Sequence, residues 1–432
     1  MENNSQKIRN VVIIDGSRTP FLRSGTDYQD MMAYELGAAA IKGLIHKTAL
    51  KTNLIDQVIM GTVIHNIRTP NVARESALIA GLSPLTPAHT VSQACISANV
   101  AISQAADMIR LGHYDIAVAG GTDSVSDIPI AFHKKMRKKL FNARKIKNFG
   151  DTLKFVSSLR FSDFKPDIPD ITEFTTGLSM GQDADLLAAR LDISRAEQDE
   201  YAVRSHKLAA EAAQSGFFTN EISAVETTPK YKMVSEDNTY RADSSVEKLA
   251  KLRPAFDKRN GTLTAANSSF LTDGAGAVLL MEENKAKELG YKAKARIKAY
   301  TFVGRDPKNE LLLGPAYAIP KVLKMSGLTL NDIGVFEIHE AFAAQVLAVL
   351  KSLNSDKFGR DNLGLNTKFG EIPMDKLNTL GGSLSLGHPF GATGSRLVTT
   401  AANRLINENQ QFAVLAACAA GGHGHAMVIE RV

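Results

Sequence analysis

One short pattern occurs twice in this chain, and it limits the fold more than any other feature. In the first half, Ala94 to Arg110 reads as a helix closed by Gly112, and a strand follows, Tyr114–Ala119, which stops at Gly120-Gly121. In the second half a glycine-rich loop, GHPFGATG from Gly387, leads into the helical run SRLVTTAANRLI. A strand, Phe412–Ala417, comes next and stops before Gly421-Gly422. Loop, helix, strand and glycine pair in the same order point to an internal duplication, with two α/β halves sharing a cleft. Val11–Asp15 and Gln57–Val63 read as buried strands, and LTDGAGAVLLM (271–281) reads as a turn followed by another.

Residues 126–248 differ. They are less regular, regain helical periodicity over Ala184–Gly216, and read as an excursion that covers the cleft. The expected division is 1–125 with 249–288 as an N-terminal core, 126–248 as a loop domain, and 289–432 as a C-terminal core. At 432 residues with 44% apolar side chains, the chain can bury a large core without staples. Its two cysteines cannot make a disulfide scaffold of this size, which suggests a reducing, cytoplasmic setting. No run of eighteen apolar residues suits a membrane-spanning helix, and Met1–Asn10 lacks an apolar leader.

The net charge of +6 is local. Between Ile128 and Gly150 there is no Asp or Glu, and eight Lys or Arg residues there exceed the whole net charge. The segment 132–149, FHKKMRKKLFNARKIKNF, sets Phe132, Met136, Leu140 and Ala143 at helical spacing among basic residues. A basic amphipathic helix suits peripheral membrane contact or a partner; the plainer reading is a solvated face, or charge that steers an anionic substrate. No nucleic-acid motif accompanies it, so nucleic acid is not an expected partner.

Four residues carry candidate chemistry. Cys95 immediately precedes a helical run, where the helix dipole favours thiolate. His388 sits in a glycine-flanked loop and suits a general base for a thiol. Cys418 ends a strand before a glycine turn, and His339 with Glu340 follows the strand VFEI, where side chains face the ligand crevice of an α/β sheet. Each has a plainer reading, as a structural cysteine, a loop histidine or a helix-starting glutamate. The cysteines stand 323 residues apart with no CxxC or HExxH spacing, so no metal site is expected.

In order along the chain come GGTDS (120–124), SMGQDAD (179–185), ISRAEQDEYAVRSHKLA (193–209), LRPAFDKRNGTLTAANSSFLTDGAGA (252–277), HEAFA (339–343), GGSLSLGHPFGATG (381–394) and CAAGGHGHAMVIE (418–430). Together they resemble the signatures of the thiolase superfamily over nearly the whole chain. HEAFA, TAANSSFLTDGA and GGSLSLGHPFGATG look most like the β-subunits of fatty-acid oxidation trifunctional complexes and their bacterial counterparts. The resemblance implies a thiolase fold, α/β, with two duplicated cores of mixed, mostly parallel sheets and an inserted loop domain.

It also implies roles. Cys95 would be the acyl-carrying nucleophile, His388 its activator and a holder of the thioester oxygen, and Cys418 the second acid/base. His339, where most thiolases have Asn, would serve one oxyanion hole, ordering a water. The backbone N–H groups of Cys95 and Ala420 would form the other hole. Met180, Arg241, Phe256, Ser269, Ala341 and Phe342 fall at the positions that meet coenzyme A, and Ser179 stands where many relatives have His. Coenzyme A would be a co-substrate, with no permanent cofactor. The implied function is a degradative 3-ketoacyl-CoA thiolase of fatty-acid β-oxidation. Implied partners are a second copy or a dimer of dimers, and a hydratase/dehydrogenase α-subunit. Two rivals stay open: an acetyl-CoA C-acetyltransferase acting on acetoacetyl-CoA, and an inactive lipid carrier or scaffold subunit. Intact Cys95, His388 and Cys418 argue against the second.

Overall fold

A ten-stranded sheet runs through both halves of the chain. The computed structural model describes residues 8–168 and 172–432; the polar start Met1–Lys7 and a short piece of the expected loop domain lie outside the described residues. The principal strands are β1 (Val11–Arg18), β2 (Gln57–Gly61), β3 (Ala88–Val91), β4 (Ile116–Asp123), β5 (Thr272–Glu282), β6 (Ala295–Gly304), β7 (Val335–Ile338), β8 (Phe412–Ala419) and β9 (His423–Arg431). Their order is β7-β8-β9-β6-β1-β5-β4-β2-β3, and Leu22–Arg23 pairs with β5 off this path.

The duplication is visible in strand direction. From the centre outward, β1-β5-β4 pair antiparallel and β4-β2-β3 parallel. On the other side β6-β9-β8 pair antiparallel and β8-β7 parallel. The halves join where β1 meets β6 through Val12↔Arg296 and Ile13↔Ala295. The sheets are therefore mixed, but parallel pairing is confined to the outer strands, against the expectation of mostly parallel sheets. Parallel and antiparallel strands buried on both faces read alike as continuous apolar runs, so the sequence does not separate them.

Helices α1 (Ala33–Thr48), α2 (Ser97–Arg110), α3 (Lys134–Ala143), α4 (Phe149–Ser158), α5 (Met180–Arg190), α6 (Arg195–Gln214), α7 (Gly314–Ser326), α8 (Ala343–Leu353) and α9 (Thr393–Asn407) matter for the site. The helices of the repeated pattern, α2 and α9, share one buried cluster with strands of both halves, including Ile59, Ala117, Val278, Leu415 and Met427. Every residue of α9 from Thr393 to Leu405 is buried, as a helix in a central layer must be. α1 covers the other face of the first half, and α7 with α8 that of the second.

Two local expectations fail for a physical reason. β4 does not stop at Gly120-Gly121 but runs on to Asp123, and β5 begins inside the supposed turn at Thr272. The glycines serve close approach: a Cβ on Gly121 would lie 1.8 Å from the Gly391 carbonyl, so the His388 loop can lie directly on β4. The basic segment 132–149 carries one helix, α3, and a second, α4, begins at its last residue. Asn148 Oδ1 accepts from Asp151 N at 2.9 Å and starts α4, while Ala131-Phe132 pairs with Pro166-Asp167 in a ribbon.

A buried ion network ties the second half to the central layer. Glu337 accepts from Arg404 Nη1 at 2.8 Å and Arg396 Nη1 at 3.2 Å, with all three side chains at 1% exposure or less. Glu337→Gln would leave the buried Arg396 guanidinium without its ion-pair partner and Arg404 with Glu408 alone. We expect it to lower unfolding stability by about 3–5 kcal/mol, read as a shifted midpoint in urea titration.

Candidate active site

Cys95 is delivered by a strained turn. Ala94, one residue before it, has φ 47°, a left-handed conformation that a non-glycine side chain resists at about 1–3 kcal/mol. Ser97 holds the turn: its hydroxyl accepts from Gln93 N at 2.8 Å and donates to Ala94 O at 2.7 Å. Cys95 thus stands just ahead of α2, half-buried and open to the cleft.

His388 reaches the same place from the other half. Asp123, at the end of β4, accepts from the N–H groups of Val63, Ile64 and Gly391 and from the Thr62 hydroxyl, and so clamps the 387–394 loop against the first core. His388 Nδ1 lies 2.6 Å from Thr393 Oγ1, whose hydroxyl also reaches Pro389 O at 3.2 Å. With the Thr393 proton on that carbonyl, Nδ1–H donates to Thr393 and the Nε2 lone pair is left for the cleft. His339 follows β7, with Nδ1 2.8 Å from Ser383 Oγ. Glu340 beside it accepts from Tyr201, Ser205, Asn378 and the Leu384 N–H, pinning this loop to 381–386.

The three side chains converge. Ligating atoms of Cys95, His339 and His388 all lie within 4.8 Å of one another, and the imidazole centroids are 4.1 Å apart. Nε2 of both histidines is buried without a protein partner. Cys418, 1% exposed at the end of β8, packs near Met180 and Phe342 and lies close enough to Cys95 for each charge to be felt.

The electrostatics differ from the sequence expectation. Burial pushes the Cys95 thiol up to about 12, although N–H donation from Ala420 and from its own backbone pulls it down. Desolvation outweighs a helix dipole worth a fraction of a kcal/mol to about 2. Burial holds His388 down at about 3, and burial, with His388 and the Arg396 guanidinium beside it, keeps His339 well below its usual range. Burial raises Cys418 as well. At neutral pH the resting site is a neutral thiol–imidazole pair, with no thiolate stored.

Ala420 heads a tight turn between β8 and β9 in which Gly421 and Gly422 take φ 79° and 71°. Glu173, from the covering segment, accepts from Gly421 N at 2.7 Å and fixes the turn that carries the Ala420 N–H. Asp123, Glu173, Ser97 and Thr393 were not singled out from the sequence, because their partners lie in other elements or depend on local turn geometry.

Of the expected coenzyme A contacts, five come together. Met180, Phe256, Ala341 and Phe342 share a cluster with Cys418; Phe256 and Phe342 meet edge to face at 5.9 Å; and Ser269 N donates to Ala341 O at 3.0 Å. Arg241 stands apart and exposed, its N–H donating to His206, whose ring leans on Phe270. Ser179 caps α5 in a reciprocal box with Gln182.

Comparison with known proteins bears on this arrangement. Residues 11–284 match the model of the thiolase N-terminal domain and 291–431 that of the thiolase C-terminal domain. The chain is 52% identical to the human mitochondrial trifunctional enzyme subunit beta, covering 98% of this chain and 89% of that protein. It is 45% identical to the 3-ketoacyl-CoA thiolase of Vibrio cholerae, covering 97% of each. The crystal structure of human mitochondrial 3-ketoacyl-CoA thiolase in complex with CoA superposes with a TM-score of 0.84 at 30% identity, over 99% of both chains.

Proposed function

The chain belongs to the thiolase family, and from that premise we propose that it is a degradative 3-ketoacyl-CoA thiolase of fatty-acid β-oxidation. The observation that carries the reading is the convergence of Cys95, His388 and His339 beside Cys418, on a chain whose relatives bear that name. Cys95 sulfur attacks the 3-keto carbon while His388 Nε2 takes the thiol proton. The alkoxide collapses, the bond between carbons 2 and 3 breaks, and the acyl group stays on Cys95. The departing acetyl-CoA carbanion takes the Cys418 proton. Coenzyme A then enters, gives its thiol proton to Cys418, and attacks the acyl thioester; Cys95 regains its proton from His388. The N–H groups of Ala420 and Cys95 face one developing oxyanion, and His388 and His339 the other.

The same premise makes coenzyme A a co-substrate held by the Met180–Phe256–Phe342 wall, with the exposed Arg241 suited to a phosphate. It makes a second copy and a hydratase/dehydrogenase α-subunit the expected protein partners; the human relative is named a subunit beta. The unpaired cysteines suit a reducing, cytoplasmic compartment. Among the described residues no helix is long and apolar enough to cross a membrane. Peripheral contact is proposed for the basic segment 132–149, where Phe141 and Phe149 are 66% and 82% exposed beside the lysines, with Leu153 of the following helix α4 61% exposed.

The test of function is thiolysis of 3-ketohexadecanoyl-CoA beside acetoacetyl-CoA by the purified chain. Preference for the long substrate supports the proposal, and preference for acetoacetyl-CoA moves it to the acetyltransferase rival. For the basic segment, co-sedimentation with phosphatidylglycerol vesicles should fall as salt rises and should be lost when Phe141, Phe149 and Leu153 are changed to Ser. Binding indifferent to both would remove the membrane role.

A further inference from the structure

Two hydrogen bonds decide which nitrogen of His339 carries its proton. Arg396 Nη2 lies 3.1 Å from Ser383 Oγ, and a guanidinium only donates, so Ser383 accepts there. Ser383 Oγ lies 2.8 Å from His339 Nδ1. Ser383 is fully buried, and its hydroxyl has no other side-chain or backbone acceptor among the described residues. Its single proton therefore goes to Nδ1. The reverse arrangement, Nδ1–H donating to Ser383, would strand a buried hydroxyl proton at a cost of about 1–3 kcal/mol. Glu337 holds Arg396 from behind at 3.2 Å, so the guanidinium stays in place.

We infer that Ser383, backed by Arg396 and Glu337, is a positioning residue that holds His339 as the Nε2–H tautomer, so that the imidazole itself is an oxyanion donor in the Cys95–His388 cleft. His339 Nε2 is buried without a protein partner, while Nδ1 is taken by Ser383 and a ring nitrogen of His339 lies within 4.8 Å of Cys95 and His388, so the free N–H is the one offered to the reacting atoms. The two imidazoles, 4.1 Å apart, then hold opposite tautomers: His388 offers a lone pair and His339 a proton. The use of this N–H rests on the thiolase reading; the tautomer is a property of the resting protein.

The tautomer is read directly by long-range proton–nitrogen correlation on protein labelled with nitrogen-15 at its ten histidines. His339 is assigned by its loss in His339→Asn. The expected result is one tautomer between pH 5 and 8, Nε2 protonated and Nδ1 bare; a protonated Nδ1 overturns the inference whatever the activity. Ser383→Ala should give mixed-tautomer shifts and lower kcat about tenfold at unchanged KM, less than the ~10²–10³ of outright donor loss, because the ring remains. In a His339→Asn background the same change should cost less than about twofold. Equal losses in both backgrounds would mean that Ser383 only packs, and would overturn its positioning role.

Discussion

Cys95→Ala should abolish thiolysis, with a loss of at least ~10⁴-fold in kcat. Nothing else in the cleft can take over the bond. The other cysteine, Cys418, is 1% exposed, and burial raises its thiol further. The fold should survive the change. Cys95 is half-buried, its turn is held by the Ser97 hydroxyl rather than by the sulfur, and removing one sulfur should cost about 1 kcal/mol. Coenzyme A binding by calorimetry should persist, since Met180, Phe256 and Phe342 are untouched. Retained turnover in this variant would exclude an acyl-cysteine at residue 95; lost binding alongside lost turnover would mean that the thiol shapes the cleft.

His388→Ala should cost ~10³–10⁴-fold in kcat, and its pH dependence should change form. A thiol held near 12 is about 10⁻⁵ thiolate at pH 7, too little to carry the reaction unaided. In the intact site His388 takes the proton as the bond forms, so the resting thiol need not ionise beforehand. His388 titrates near 3 and Cys95 near 12, both far from neutrality. The acylation step should therefore be flat from about pH 6 to 9. Without His388 only thiolate reacts, and the residual rate should climb about tenfold per pH unit over the same range. The check is single-turnover acylation as a function of pH. A wild-type profile that rises through a group near 6 to 7 would show a stored thiolate–imidazolium pair, contrary to the neutral pair described here.

The four candidate residues were legible in the sequence because each is a reactive type at the end of a strand, the start of a helix or in a glycine-rich loop. The duplication was legible because helix, strand and glycine pair recur in the same order in both halves, although Gly120-Gly121 lies inside β4 and Gly421-Gly422 lies beyond the end of β8. What holds the site was not. Asp123 meets Gly391 across 268 residues and Glu173 meets Gly421 across 248, and no local pattern announces a contact at that range. Gly121 read as a strand stop because its other use, bare backbone under the Gly391 carbonyl, exists only once the halves are together. The direction of the Cys95 shift was misread from sequence because burial is a tertiary quantity, and it exceeds the dipole of α2 that the sequence does show. His339 and Ser383 were both inside quoted motifs, yet their hydrogen bond depends on Arg396 arriving from α9.

The most direct test of the acyl-cysteine account is mass spectrometry of the protein mixed with 3-ketohexadecanoyl-CoA in the absence of free coenzyme A. One acyl group, two carbons shorter than the substrate, is expected as a thioester on Cys95, lost again when coenzyme A is added. An acyl group on Cys418, or release of acetyl-CoA with no acyl group left on the chain, would contradict it.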